Sequence, residues 1–216
     1  MKDLTNLKTF IIDSKDPYEV DDAISIEIKN NIKNIWIHIS YPAKLFEFNS
    51  EIDNYAKKRS SSLYLIDNYV SMLPKNIIEQ CNLRKNKVSE TLSACIELNE
   101  NGSIKRYEIL ETLIKPNYEL SYEDTNEILD LEPKEEYELI ILNKLLKKSF
   151  NFRKNKGAIT FNNAYSKILY NKKENAISFE TTDITQAHNL VSEAMILMGN
   201  ITSNYLKNNN IPAPFR

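Results

Sequence analysis

Apolar and polar residues alternate along Ala23-Ile24-Ser25-Ile26-Glu27-Ile28 and again along Ile35-Trp36-Ile37-His38-Ile39. This is the period of a half-buried strand. In the second run Ile35, Ile37 and Ile39 share one face, and Trp36 and His38 share the other. Phe10-Ile11-Ile12 is a further strand-like run, and Asn30-Asn31 reads as a turn. Pro42 ends the strand before it. Residues 51–59, EIDNYAKKR, read as a short helix with a basic end. Tyr64 lies in a β-favouring patch just beyond, and after Met72-Leu73-Pro74 a short helical piece runs to Gln80. A hairpin follows, with strands at 91–98 and 104–114 around Asn99-Glu100-Asn101-Gly102, whose Asn-Gly pair is a strong turn signal. A short helix is predicted over 121–129 and a longer one from 135 to about 152. The longer helix buries Leu139, Ile140, Leu142, Leu145, Leu146 and Phe150. It ends in basic residues and then Gly157, as helix C-termini do. Short strands are predicted at 158–161, 166–170 and 176–179. The last helix starts near Asp183, with Gln186 completing a capping box. Its buried stripe is Ala187, Leu190, Val191, Ala194, Met195, Met198 and Ile201. Glu193 falls at the border of that stripe, where a solvated face normally begins. Together these elements predict an α+β fold, a mostly antiparallel mixed sheet with helices packed on it.

Composition narrows the class. The chain has 216 residues, 42% hydrophobic and 27% charged, which suits a globular protein with a real core in one domain or two small ones. A net charge of −2 excludes a globally basic nucleic-acid binder, so any such ligand needs a local basic groove. Cys81 and Cys95 lack the spacing of a disulfide framework or a zinc site. They are expected as buried thiols in a reducing compartment, the cytoplasm by default. No run has the length of a membrane span, and MKDLTNLKTF lacks the pattern of a signal peptide.

The candidate chemistry lies between the first two strands. Asp13, Asp16, Glu19, Asp21 and Asp22 fall within ten residues. Crowded carboxylates raise one another's pKa unless something positive intervenes. A hard divalent cation, Mg²⁺ or Mn²⁺, would relieve them. A solvated acidic turn is the alternative reading of the same spacing. Tyr64 follows the basic cluster Lys57-Lys58-Arg59, and an aromatic beside cations suits stacking on a base and pairing with a phosphate. A strand tyrosine in the core is the bland alternative. His38 reads as a strand-face residue rather than a ligand.

The ordered set of motifs resembles the RNB catalytic domain of the ribonuclease II and RNase R exoribonucleases. IIDSKDPYEVDDAISI looks like that family's metal motif. IWIHIS, YAKKRSSSLYL, SMLPKNI, CNL, RKNKGAITF, HNLVSEAMILMGN and PAPFR follow in the family's order. The resemblance covers nearly the whole chain, as the N-terminal portion of the catalytic domain. It implies Mg²⁺-dependent 3′-to-5′ hydrolysis of single-stranded RNA to nucleoside 5′-monophosphates, with no membrane involved. Asp13, Asp21 and Asp22 match the metal-site aspartates. Glu19 stands where most members have Asp and reaches one methylene further. By the resemblance, these four acids are the expected catalytic and metal-binding residues. Tyr64 matches the tyrosine that packs on the last nucleotide, Tyr122 a second aromatic that sets RNA position, and Glu193 a carboxylate near the RNA 3′ end carried toward the acidic loop. Arg59 is the expected phosphate contact.

The sequence also departs from the family. Tyr41 replaces an Asp after the third strand. The family's later Ser-Pro-x-Arg-Arg-Tyr segment is missing from these 216 residues, as are flanking cold-shock and S1 domains, so the fold is expected to be incomplete. Losing one such cationic contact to the scissile phosphate lowers rates on the order of a hundredfold or more. Two alternatives follow. One is a non-catalytic RNA-binding remnant. The other is half of a split enzyme completed by a C-terminal partner fragment or a longer parent chain.

Overall fold

The computed structural model describes residues 1–66, 68–160, 165–171 and 176–213. The strands and helices run in the order β1 (Lys2–Asp3), β2 (Thr9–Asp13), β3 (Asp22–Lys29), β4 (Ile32–Ser40), α1 (Glu51–Arg59), β5 (Leu63–Tyr64), β6 (Tyr69–Val70), α2 (Lys75–Cys81), β7 (Ser89–Leu98), β8 (Ile104–Ile114), β9 (Tyr118–Ser121), α3 (Tyr122–Leu131), α4 (Tyr137–Asn155), β10 (Tyr165–Asn171), β11 (Ala176–Thr182) and α5 (Gln186–Asn208). Seven strands form the main sheet in the order β1-β8-β7-β4-β3-β2-β9. The outer pairs β1–β8 and β2–β9 are parallel and the inner ones antiparallel. The fold is therefore α+β with a mostly antiparallel mixed sheet, as the alternating runs predict.

Both faces of this sheet are covered. On one, Phe10, Ile24, Ile35, Ile37 and Ile96 pack against Leu139, Leu142, Leu146, Leu190 and Ala194 of α4 and α5. On the other, Ile11, Ala23, Trp36 and Ile114 enclose Val20 and Leu83. The expectation of half-buried strands is corrected accordingly, since Ser25, Trp36 and His38 on the second face are all fully buried. A buried polar seam makes this possible. His38 Nε2 shares a hydrogen bond with Ser25 Oγ (2.8 Å) and Nδ1 with Ser93 Oγ (2.7 Å), and Ser93 continues to Thr112 (2.6 Å). Burial pushes the His38 pKa down to about 3, so the imidazole is neutral and structural.

The hairpin tip docks on α4. Gly102 has φ +86°, and a Cβ there would lie 2.1 Å from the Lys148 carbonyl oxygen. Only glycine fits both the turn and the close approach.

Three further expectations are corrected. Residues 158–160 form no strand, because Gly157 (φ +93°) turns the chain and the Ala158 N–H bonds back to the Arg153 carbonyl at 3.1 Å. Phe161 and residues 214–216, part of the motifs RKNKGAITF and PAPFR, lie outside the described residues. The last helix is capped by Thr185 with His188, not by Asp183 with Gln186. Cys81 and Cys95 are free but only half-buried. Among the described residues no helix is long and apolar enough to cross a membrane.

Candidate active site

The acidic loop is held at both ends by sheet pairing. Asp13 is the last residue of β2, opposite Ser121 of β9, and Asp22 is the first of β3, opposite Ile39 of β4. The Asp21 carbonyl accepts from the Ser40 N–H at 2.7 Å. Val20 anchors the loop from within. Its side chain is buried, its N–H donates to Asn82 Oδ1 (3.1 Å), and its carbonyl accepts from the Leu83 N–H (2.9 Å). An apolar residue buried between acids forces its neighbours outward. That is how the chain keeps several like charges on a short fixed arc.

Electrostatics tie three of these acids together. Burial, then the charges of Asp21 and Asp13, push the Asp22 carboxyl up to about 7. Burial, followed by the Asp21 charge, raises Asp13 as well, although hydrogen bonds from Ser14 oppose the rise. No lysine or arginine side chain forms an ion pair with these three carboxylates among the described residues. The donor chemistry fits a hard cation, with oxygen ligands only and unrelieved mutual repulsion. The side chains as they stand do not close a cage, since among the described residues no group of three His, Cys, Asp or Glu is disposed to hold a metal ion.

Glu19 faces a different neighbour. Its two carboxylate oxygens lie 3.5 and 3.3 Å from Ser62 Oγ, and it shares with Asp21 a cavity of about 250 Å³ that Ser62 and Met72 also line. Asp13 opens onto another cavity of about 470 Å³, bordered by Lys15, Arg84 and Asp124. Tyr64 lies within electrostatic reach of Glu19, Asp21 and Asp13. Its ring is exposed, and after burial the charges of Glu19 and Asp21 are what most oppose its ionisation.

The remaining expected site residues lie on the helices, Arg59 on α1, Tyr122 on α3 directly after the Ser121 that pairs with Asp13, and Glu193 on α5. The Arg59 guanidinium rests 5.1 Å above the Tyr55 ring, and its Nε donates to the Tyr55 hydroxyl at 3.0 Å. Tyr122 opens α3 and stacks on His188 of α5, ring centroids 3.9 Å apart. Glu193 lines the same cavity of about 650 Å³ as Tyr122 and His188. One expectation about Glu193 is corrected. It is buried at 3% exposure rather than at the start of a solvated face. Its carboxylate is engaged by α4, with Arg153 Nη2 at 2.6 Å, Arg153 Nε at 3.1 Å and Ser149 Oγ at 2.8 Å. The Arg153 partner was visible in sequence only as part of a basic helix end. Tyr18, Tyr69, Ser62 and Asn82 carried no local signal, because they meet only through the fold.

The RNB domain model matches residues 1–216. An uncharacterized ribonuclease of Synechocystis is 36% identical over 99% of this chain and 32% of its own length. The chloroplastic and mitochondrial ribonuclease II of Arabidopsis thaliana is 30% identical over 99% of this chain and 27% of its own. The chain thus spans about a third or less of the length of these curated relatives. The fold is also that of Mycoplasma genitalium RNase R, solved with double-stranded RNA, at TM-score 0.92 and 22% identity over 100% of this chain and 40% of that one. The acidic loop, the sheet that pins it and the match along the full length converge on one assignment: the chain belongs to the RNB domain family.

Proposed function

We propose that this chain acts in 3′-to-5′ hydrolysis of single-stranded RNA, dependent on Mg²⁺ or Mn²⁺ and releasing nucleoside 5′-monophosphates. The observation that carries the reading is the mutually repelling trio Asp13, Asp21 and Asp22, with the exposed Tyr64 within electrostatic reach of Asp21 and Asp13. Asp13, Asp21 and Asp22, with Glu19 turning in from Ser62, would hold the cation. A bound divalent ion lowers the pKa of water and offsets charge on the leaving oxygen. The chain's own part is positional. Tyr64 offers a stacking face that any base can use, as a degradative enzyme requires. Arg59, with Lys57 and Lys58 at the basic end of α1, offers phosphate contacts. Tyr122 and Glu193 line the large cavity where the RNA 3′ end would be set. The two free thiols suit a reducing compartment such as the cytoplasm.

One observation favours a second reading, an RNA-binding chain without turnover. Among the described residues, no three of the carboxylates as they stand are disposed to hold a metal ion. Digestion of a 5′-labelled single-stranded RNA decides between the two. With Mg²⁺, the wild-type chain is expected to shorten the RNA one nucleotide at a time, while Asp21→Asn and wild type in EDTA leave it intact, at least on the order of a hundredfold slower. RNA retained in a binding assay but never shortened would establish the second reading, and rescue by an added C-terminal fragment would establish a split enzyme.

A further inference from the structure

A second aromatic surface stands beside Tyr64. Tyr18 comes from the acidic loop, and Tyr64 and Tyr69 come from the β5–β6 hairpin. The Tyr18 and Tyr69 rings stack with centroids 4.6 Å apart and planes 10° from parallel. Tyr64 leans on Tyr69 at 5.0 Å and 44°. Tyr69 is half-buried, whereas Tyr18 and Tyr64 are 61% and 65% exposed.

Hydrogen bonds anchor the cluster. The Tyr69 hydroxyl donates to Ser62 Oγ at 3.3 Å, and Ser62 Oγ also accepts from the Met72 N–H at 3.0 Å. Tyr18 sits between Pro17, with its fixed φ, and the buried Val20, and its carbonyl accepts from Asn82 Nδ2 at 3.5 Å. Tyr69 covers one face of the Tyr18 ring and Tyr64 tilts toward it at 6.4 Å and 53°, yet Tyr18 keeps 61% of its surface exposed. A pre-ordered open ring loses little entropy on stacking. The nearby carboxylates repel phosphate, so a planar aromatic group fits this ring better than an anion.

We propose that Tyr18, backed by Tyr69, is a base-stacking subsite for a second nucleobase of single-stranded RNA, separate from the nucleotide on Tyr64. The subsite rests on the RNA reading above. A base placed on Tyr18 continues the Tyr18–Tyr69 stack, whereas a base on Tyr64 does not. Stacking of this kind accepts every base.

The test is binding of a fluorescein-labelled oligoadenylate in EDTA, which prevents turnover. Tyr18→Ala is expected to weaken binding about tenfold, and Tyr18→Phe to stay within about twofold of wild type. Tyr18→Leu keeps apolar cover over Tyr69 and is expected to lose affinity like Ala. An abasic site moved along the RNA should erase the Tyr18→Ala effect at one position and the Tyr64→Ala effect at another. Wild-type affinity in Tyr18→Ala and Tyr18→Leu, with Tyr64→Ala weakened, would overturn this subsite and leave the RNA reading standing. The same holds for a Tyr18→Ala loss that is equal for every abasic RNA. No binding by the wild-type chain would overturn both.

Discussion

Asp22→Asn is expected to stabilise the metal-free protein at pH 8 while abolishing its chemistry. The folded carboxyl keeps its proton up to about pH 7, against a usual value of 3.8. Between these values the folded state binds more protons than the unfolded state, so this group lowers stability as pH rises. Above pH 7 the full loss is present. Asparagine carries no charge at any pH and removes it. A shift of this size corresponds to about 4 kcal/mol, and water entering the loop reduces the net gain to about 2–4 kcal/mol. Urea unfolding in EDTA should therefore show Asp22→Asn above wild type at pH 8 and close to it at pH 4. Mg²⁺ should then raise the wild type, since a ligand bound only by the folded state stabilises it, and leave Asp22→Asn unmoved. A variant that is less stable at both pH values would mean that Asp22 is an ordinary structural residue.

Arg153→Met should act in the opposite direction. Glu193 keeps 4% side-chain exposure, and Arg153, at 28%, is the cation paired with it. The same pair raises the Arg153 pKa, chiefly through its hydrogen bonds to Glu193. Among the described residues, removing Arg153 leaves a buried carboxylate with Ser149 as its hydrogen-bond donor. Such losses cost about 3–5 kcal/mol when the pair is fully dry, and about 2–4 kcal/mol suits the partly wet guanidinium here. The double variant Arg153→Met with Glu193→Gln should recover most of that, because no charge is stranded. Denaturant midpoints of the two single variants and the double give the coupling directly. Additive effects would show that the pair contributes nothing as a pair.

Local chemistry explains which features could be read without coordinates. Helix α1 was legible to the residue because its polar start and its Lys57-Lys58-Arg59 end both lie within the element. Strand β8 was legible because Asn101-Gly102 fixes the turn before it. The alternation of β3 and β4 gave the strands but misjudged their outer face. There Ser25 and His38 are polar, yet they satisfy each other inside a second core. Glu193 was misplaced for the same reason, since the Arg153 that allows its burial lies forty residues away. Of the site, the acids were visible as a cluster. Their spacing could not show that Val20 is the buried pin or that Glu19 faces Ser62. Tyr18 looked like a loop residue until the β5–β6 hairpin placed Tyr69 beneath it.

In the proposed site Asp13, Asp21 and Asp22 repel one another because they are placed to hold a cation. Titration of Mn²⁺ into the metal-free chain, followed by loss of the free-ion electron paramagnetic resonance signal, measures this without reference to turnover. Saturable Mn²⁺ uptake by the wild type, competed by Mg²⁺, is expected, with none above background in Asp22→Asn. Equal uptake by both proteins, or none by either, would mean that these acids hold no cation.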